Sequence, residues 1–183
     1  MEALKKLLST VSDNDYPKWF ENIAILLFNN CAIKTDSNTY RITEVEFYYH
    51  NEHHQDLTTY GYIDKTKKYL DRIRRHKEAQ YKPLTWFFHY SGVDLVIGND
   101  NAPGGVLIRS IENIVTGEKV TGPLVVLLEL LNQQISVDGS KTLLLELIPN
   151  KYEKLQTPVT KQRIGLGQSD NTERLYNFSI PSL

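Results

Sequence analysis

Apolar and polar residues alternate with a period of two from Arg41 to Tyr49. Thr43, Val45, Phe47 and Tyr49 share one side and Ile42, Glu44, Glu46 and Tyr48 the other, the pattern of a strand with one face in a core. Helical spacing precedes it. Met1, Leu4, Leu7, Leu8 and Val11 form one stripe, and Trp19, Phe20, Ile23, Leu26 and Leu27 a second. Residues 12–15 break the two, and Pro17 suits a first helical turn. Strands are expected over 31–34 and 40–49 around a polar turn, 35–39. A polar stretch follows over 50–82, with a predicted helix near 66–78. Short strands follow over 84–90 and 93–98, turn formers crowd 99–105, and a strand returns over 105–114. Thr121-Gly-Pro123 reads as a helix start with Thr121 as N-cap, and Leu124, Leu127, Leu128 and Leu131 mark its buried face. Strand-like runs at 143–148 (read as buried), 162–167 and 175–180 close the chain. The sum is an α+β domain covering 1–183. It has a helical segment at 1–30, a curved antiparallel sheet, one buried helix and a partly basic insertion at 50–82.

Charge changes this picture locally. The chain of 183 residues has a net charge of -1, so any nucleic-acid partner must meet a patch and not a polycation. Such a patch exists between Lys65 and Lys82. Lys67, Lys68, Arg72, Arg74 and Arg75 belong to it, only Asp71 and Glu78 oppose it, and Tyr62, Tyr69 and Tyr81 interleave with it. Two readings stay open: a stripe for a phosphate backbone with stacking tyrosines, or a solvated helix face. The single Cys31 excludes an intrachain disulfide and a Cys-rich zinc site, and a buried, inert thiol is expected. No secretory pattern and no bilayer-length apolar run is present, so a cytoplasmic monomer without a membrane partner is expected.

Candidate chemistry centres on Glu46, a carboxylate beside the aromatic Tyr48, which suits general-base work on a flat substrate. The bland alternative is a polar residue on a strand face. His50, His53, His54 and Asp56 are metal-ligating types placed close together, although their spacing matches no helical ligand motif. No nucleophile elbow and no phosphate-loop lysine signature occurs.

Several segments, in order, carry a resemblance. Arg41-Ile-Thr-Glu-Val-Glu46-Phe-Tyr48 resembles the Arg-Ile-Val-Glu-Thr-Glu-Ala-Tyr segment of the alkyladenine (3-methyladenine, methylpurine) DNA glycosylase family. Trp86-Phe-Phe-His-Tyr-Ser-Gly92 is similar to its aromatic strand, and Gly105-Val-Leu-Ile-Arg109-Ser-Ile-Glu112 to its Val-Leu-Leu-Arg-Ala-Leu-Glu strand. Thr121-Gly-Pro123 resembles its Ser-Gly-Pro helix start, and Arg163-Ile-Gly165 with Arg174 to Phe178 its closing segments.

The resemblance implies a curved antiparallel sheet in one α+β domain and an N-glycosyl hydrolase of base excision repair. Such an enzyme flips a damaged purine out of duplex DNA and needs no metal or cofactor. Glu46 would activate the attacking water, Arg109 would support the site, and Tyr48 and Phe88 would flank the extruded base. Tyr60 falls where the family has a pocket histidine, and Asn99 or Asn101 near its pocket asparagine. The family's wedge tyrosine aligns with Ser91, next to Tyr90, and Val125 stands where a lysine is usual. Lys67, Lys68, Arg72, Arg74 and Arg75 would meet the DNA backbone. The alternative is a non-catalytic nucleic-acid-binding or interaction domain on the same scaffold. A purely catalytic Glu46 would also leave folding nearly intact when changed to Gln.

Overall fold

Asp15 accepts a hydrogen bond from the Lys18 N–H at 3.0 Å and caps α2 (Tyr16–Asn30), with Pro17 in its first turn. The shorter α1 (Glu2–Ser9) is tied to α2 by the Trp19 indole, which donates to the Leu7 carbonyl at 2.9 Å. The computed structural model describes residues 1–11, 15–62, 78–132, 144–166 and 173–181. The helix expected near 66–78, except for Glu78, which opens a 3-10 turn (Glu78–Tyr81), and the basic residues Lys67, Lys68, Arg72, Arg74 and Arg75 lie outside these described residues. Among them, no helix is long and apolar enough to cross a membrane.

The body is a curled antiparallel sheet. Its strands are β1 (Cys31–Lys34), β2 (Thr39–Tyr49), β3 (Trp86–His89), β4 (Gly92–Val96), β5 (Gly104–Asn113), β6 (Lys119–Thr121), β7 (Glu146–Pro149), β8 (Val159–Lys161) and β9 (Asn177–Ser179). The main path runs β3-β4-β5-β2-β1-β7; β6 pairs with β5, and β9 joins both β2 and β8. One helix, α3 (Pro123–Asn132), follows β6. Phe20, Ile23, Leu27 and Phe28 of α2 pack with Val45, Phe47, Val106 and Ile108 in one core. Cys31 is buried there, and burial pushes its thiol up to about 11, as suits an inert group.

The pairing of β2 with β5 slips twice. Ile42 lies opposite Ile111, Glu44 opposite Ser110, and Val45 opposite Ile108. Thr43 is therefore the extra residue on β2 and Arg109 the extra residue on β5. Each slip reverses which side the following residues of its own strand face. Tyr40 and Ile42 enter the core before the slip; Val45, Phe47 and Tyr49 enter it after. The unbroken alternation expected from the sequence, with Ile42 beside Glu44, is corrected here: Ile42 is a core residue, and Glu44, Glu46 and Tyr48 alone share the outer face.

Other expectations also shift. Thr121 lies in β6, and its hydroxyl is 3.1 Å from that of Ser110. Gly122 caps α3 instead, its carbonyl accepting from the Val126 N–H at 2.8 Å at a φ of 102°, which favours glycine. The buried face of α3 is Val126, Leu127 and Leu130, while Leu124 and Leu128 are about half exposed. So α3 packs by one face and is not a buried helix. The last part of the expected run at 143–148 is β7, a part-exposed edge strand ending at Pro149, which is where a proline can sit in a sheet. The strand expected over 162–167 is replaced by β8 at 159–161, followed by a bend.

Candidate active site

The outer face of the sheet carries the polar cluster. Register places Glu46 opposite Leu107, Leu107 opposite Asp94, and Asp94 opposite Phe87, so these four stand in one row across four strands. Leu107 and Phe87 are buried yet stand apart from the main core, as expected for a second covered face. Tyr48, Tyr60, Ser91 and Arg109 are half-buried around this floor.

Glu46 is 0 % exposed and holds four donors. Its Oε1 accepts from the Ile164 N–H at 2.7 Å and the Asn177 amide at 3.0 Å. Its Oε2 accepts from the Tyr48 hydroxyl at 2.8 Å and faces Arg109 Nη1 at 3.2 Å. The Asn177 amide also reaches Glu44 Oε1 at 2.9 Å, and Arg109 Nε lies 3.4 Å from the same oxygen. Lys161 Nζ approaches it at 3.1 Å. Burial alone would push Glu44 up, but the bonds from Asn177 and Lys161 and the charges of Lys161 and Arg109 outweigh it and hold Glu44 below its ordinary value. Burial, then the charge and hydrogen bond of Glu46, push the Tyr48 phenol far up, so it remains a donor.

Arg163 closes the cluster from the other side. Its guanidinium lies 4.6 Å from the Tyr48 ring centre, donates to the Phe47 carbonyl at 3.0 Å, and pairs with Asp56 Oδ2 at 2.6 Å. Both members of this pair are 0 % exposed at the side chain.

The second end of the floor is built on Asp94. Its Oδ1 lies 3.2 Å from His89 Nε2 and its Oδ2 3.1 Å from the Gln80 amide nitrogen. Gln80 in turn accepts from the Gly61 N–H at 2.6 Å. The Ser91 N–H points at His89 Nδ1 at 3.3 Å, which leaves Nε2 to carry the hydrogen toward Asp94. A Cβ at Gly105 would stand 2.5 Å from Asp94 Oδ2, so only glycine lets the carboxylate lie this close to β5. Tyr60 covers this end, its ring 4.6 Å from His89 and 5.7 Å from Phe87. Burial pushes its phenol up as well.

The structure thus brings Glu46, Tyr48 and Arg109 together on one face of the sheet, with Tyr60 against Phe87 and His89 at the other end of that face. It does not bring Phe88 there. Phe88 pairs with Val93 and packs on the core, while Phe87 and His89 take the outer face. The two-residue turn Tyr90–Ser91 fixes this phase, with His89 opposite Gly92. Tyr90 is no longer on a strand; it is 82 % exposed at the turn, 6.1 Å from the Tyr60 ring. Asn99 turns its side-chain oxygen to its own loop, accepting from Asn101 N–H at 2.9 Å and Ala102 N–H at 3.1 Å. Lys67, Lys68, Arg72, Arg74 and Arg75, expected to meet the DNA backbone, are outside the described residues.

The histidine cluster is dispersed by its partners. His54 donates to the Tyr49 carbonyl at 2.8 Å, and its Nε2 accepts from the Tyr176 hydroxyl at 2.9 Å. His50 is held by the backbone of Asp56, and Asp56 by Arg163. Among the described residues no three His, Cys, Asp or Glu side chains are placed to hold a metal ion. The groove beside α1 and α2, lined by Met1, Leu26, Asn30, Pro149 and Lys151, carries no carboxylate, histidine or cysteine.

Sequence reasoning missed Asn177, the Ile164 N–H, Asp94 and His89. The first two come from chain more than a hundred residues away, and only the parity of β3 and β4 could have pointed to the others.

No family model matches the chain. An uncharacterized protein of Acanthamoeba polyphaga mimivirus is 31% identical over 128 residues, a match that covers 63% of this chain and 57% of that protein. The chain therefore spans less than two thirds of the length of this viral relative, to which it is similar.

Proposed function

We propose that this chain is a DNA glycosylase-like hydrolase that takes a damaged purine into the outer face of the sheet and cleaves its N-glycosidic bond. The observation that supports this most is the row Glu46–Leu107–Asp94: a buried carboxylate, an apolar floor and a second carboxylate, under half-buried tyrosines. In the proposed reaction Glu46 Oε2 takes a proton from water, and the water oxygen bonds to C1′. The bonding pair of the glycosidic bond leaves with the purine. Glu44 and Glu46 face the developing oxocarbenium charge, and Arg109 holds the two carboxylates together. Tyr90, exposed at its turn, would meet the duplex beside the extruded base. DNA is the proposed partner.

The four donors on Glu46 favour a second reading, a non-catalytic nucleic-acid-binding domain. A carboxylate offers about four acceptor directions, and all are taken, so water must displace Tyr48 or Arg109 to reach Oε2. Excision assays decide between the two, using duplexes that contain 3-methyladenine, hypoxanthine or 1,N6-ethenoadenine. Base release by wild type and not by Glu46→Gln supports the hydrolase. Tight binding to damaged duplex without release of any base supports the binding domain. Absence of both overturns both.

A further inference from the structure

We propose that Asp94 is the specificity-determining acceptor of this site and that it selects purines with an exocyclic amino group on their pairing edge. The inference rests on the glycosylase-like reading and adds the chemistry of the base to it.

The geometry runs from the sheet. Asp94 and Glu46 stand in one row with a single residue, Leu107, between them. Two strand spacings separate their backbones by roughly 9–10 Å. A purine whose sugar lies at Glu46 would displace what now covers Leu107, which is 6 % exposed, and bring its pairing edge to Asp94. The carboxylate is 2 % exposed, so a group bonded to it is removed from water. Among the described residues it accepts only from Gln80 and His89, one on each oxygen, and each oxygen keeps one acceptor direction. Both existing partners are donors, and Gln80 is itself anchored by the Gly61 N–H. They orient the carboxylate and leave it with acceptor capacity alone. Tyr60 lies beside this carboxylate, its ring 4.6 Å from that of His89, the partner of Asp94.

An acceptor with no donor of its own discriminates by chemistry. An amino group on the base gains a charge-assisted hydrogen bond. A base edge without an N–H donor, as in 1,N6-ethenoadenine, where the etheno bridge leaves C–H groups and one acceptor nitrogen, gives a buried carboxylate no hydrogen bond.

The test reads binding, not cleavage. Duplexes carrying 2,6-diaminopurine, 2-aminopurine, unsubstituted purine or 1,N6-ethenoadenine at one position are titrated with wild type and with Asp94→Asn. Wild type should bind the amino-bearing bases about ten-fold tighter than unsubstituted purine and 1,N6-ethenoadenine. Asp94→Asn, whose side chain offers a donor as well, should lose most of that preference. Equal wild-type affinity across the base series, or the same preference in Asp94→Asn, overturns the role of Asp94 while leaving base binding intact. The wild-type series decides alone should Asp94→Asn fail to fold. No binding above an unmodified duplex for any of the four overturns this inference together with the functional reading beneath it.

Discussion

Tyr48 donates its hydroxyl to Glu46 Oε2 at 2.8 Å, from two residues further along the same strand face. The acceptor is ionisable and fully buried, so this bond belongs to the stronger class. Tyr48→Phe keeps the ring over which Arg163 lies and removes only the donor. It should cost about 1.5–3 kcal/mol in urea unfolding. A change below the error of the measurement would show that Arg109 alone satisfies that oxygen.

Glu46→Gln should do more harm. An amide keeps one oxygen and turns an NH₂ toward two donors whichever way it is placed, Ile164 N–H and Asn177 on one side or Tyr48 and Arg109 on the other. A loss of about 2–4 kcal/mol is expected by denaturant titration. This departs from the near-neutral change that a purely catalytic Glu46 would show, because the carboxylate also joins β2, β5, β9 and the 162–166 bend. An unchanged midpoint would mean that these donors find water instead.

Asp56 and Arg163 form a fully buried pair, and Asp56 Oδ1 also accepts from Thr58 N–H at 3.1 Å. Asp56→Ala strands the guanidinium under Tyr48 and Tyr176, and a loss of about 3–5 kcal/mol should follow. Adding Arg163→Met should recover part of it, since the stranded charge is then gone. Additive losses in the double variant would count against this account.

His54 gives a pH dependence with a definite sign. Burial is the largest influence and holds its folded value below the ordinary 6.5. The unfolded chain takes up a proton near that pH while the folded chain does not. Stability from this group is therefore full above it and lost as pH falls. Melting temperature should drop between about pH 8 and about pH 5, and His54→Gln should be less stable at the upper pH with a shallower slope. His50, also lowered mainly by burial, acts in the same direction. An unaltered slope in His54→Gln would assign the acid loss to other groups.

Charge reversal at Arg72, Arg74 and Arg75 should flatten the dependence of DNA affinity on salt, by up to about 0.9 in log–log slope for each phosphate no longer neutralised. A constant slope would mark the basic stripe as solvated surface.

The strand carrying Glu46 and Tyr48 is legible in the sequence because its residues alternate strictly and end in aromatics. The slip at Thr43 is not, since threonine is as acceptable in a regular strand as at an irregular one, and the matching slip at Arg109 lies on another strand. The buried face of α3 is hard to read because Leu124 to Leu131 is apolar at all but one position, which leaves little polar contrast to set its phase. Phe87 and Phe88 are chemically identical neighbours, so only the turn at Tyr90–Ser91 decides which one faces Glu46. Asn177 sits in a run whose apolar neighbours, Tyr176 and Phe178, announce a strand but not its partner.

Thr43 and Arg109 are each one residue too many, on facing strands, and the two excesses compensate. A chain that lost either alone would keep Ile42 opposite Ile111, Glu44 opposite Ser110 and Val45 opposite Ile108, because removing the extra residue leaves its strand in plain alternation. Losing both together would leave an unbroken ladder. Related chains can therefore shorten at either position without turning Glu44 or Glu46 into the oil of the interior.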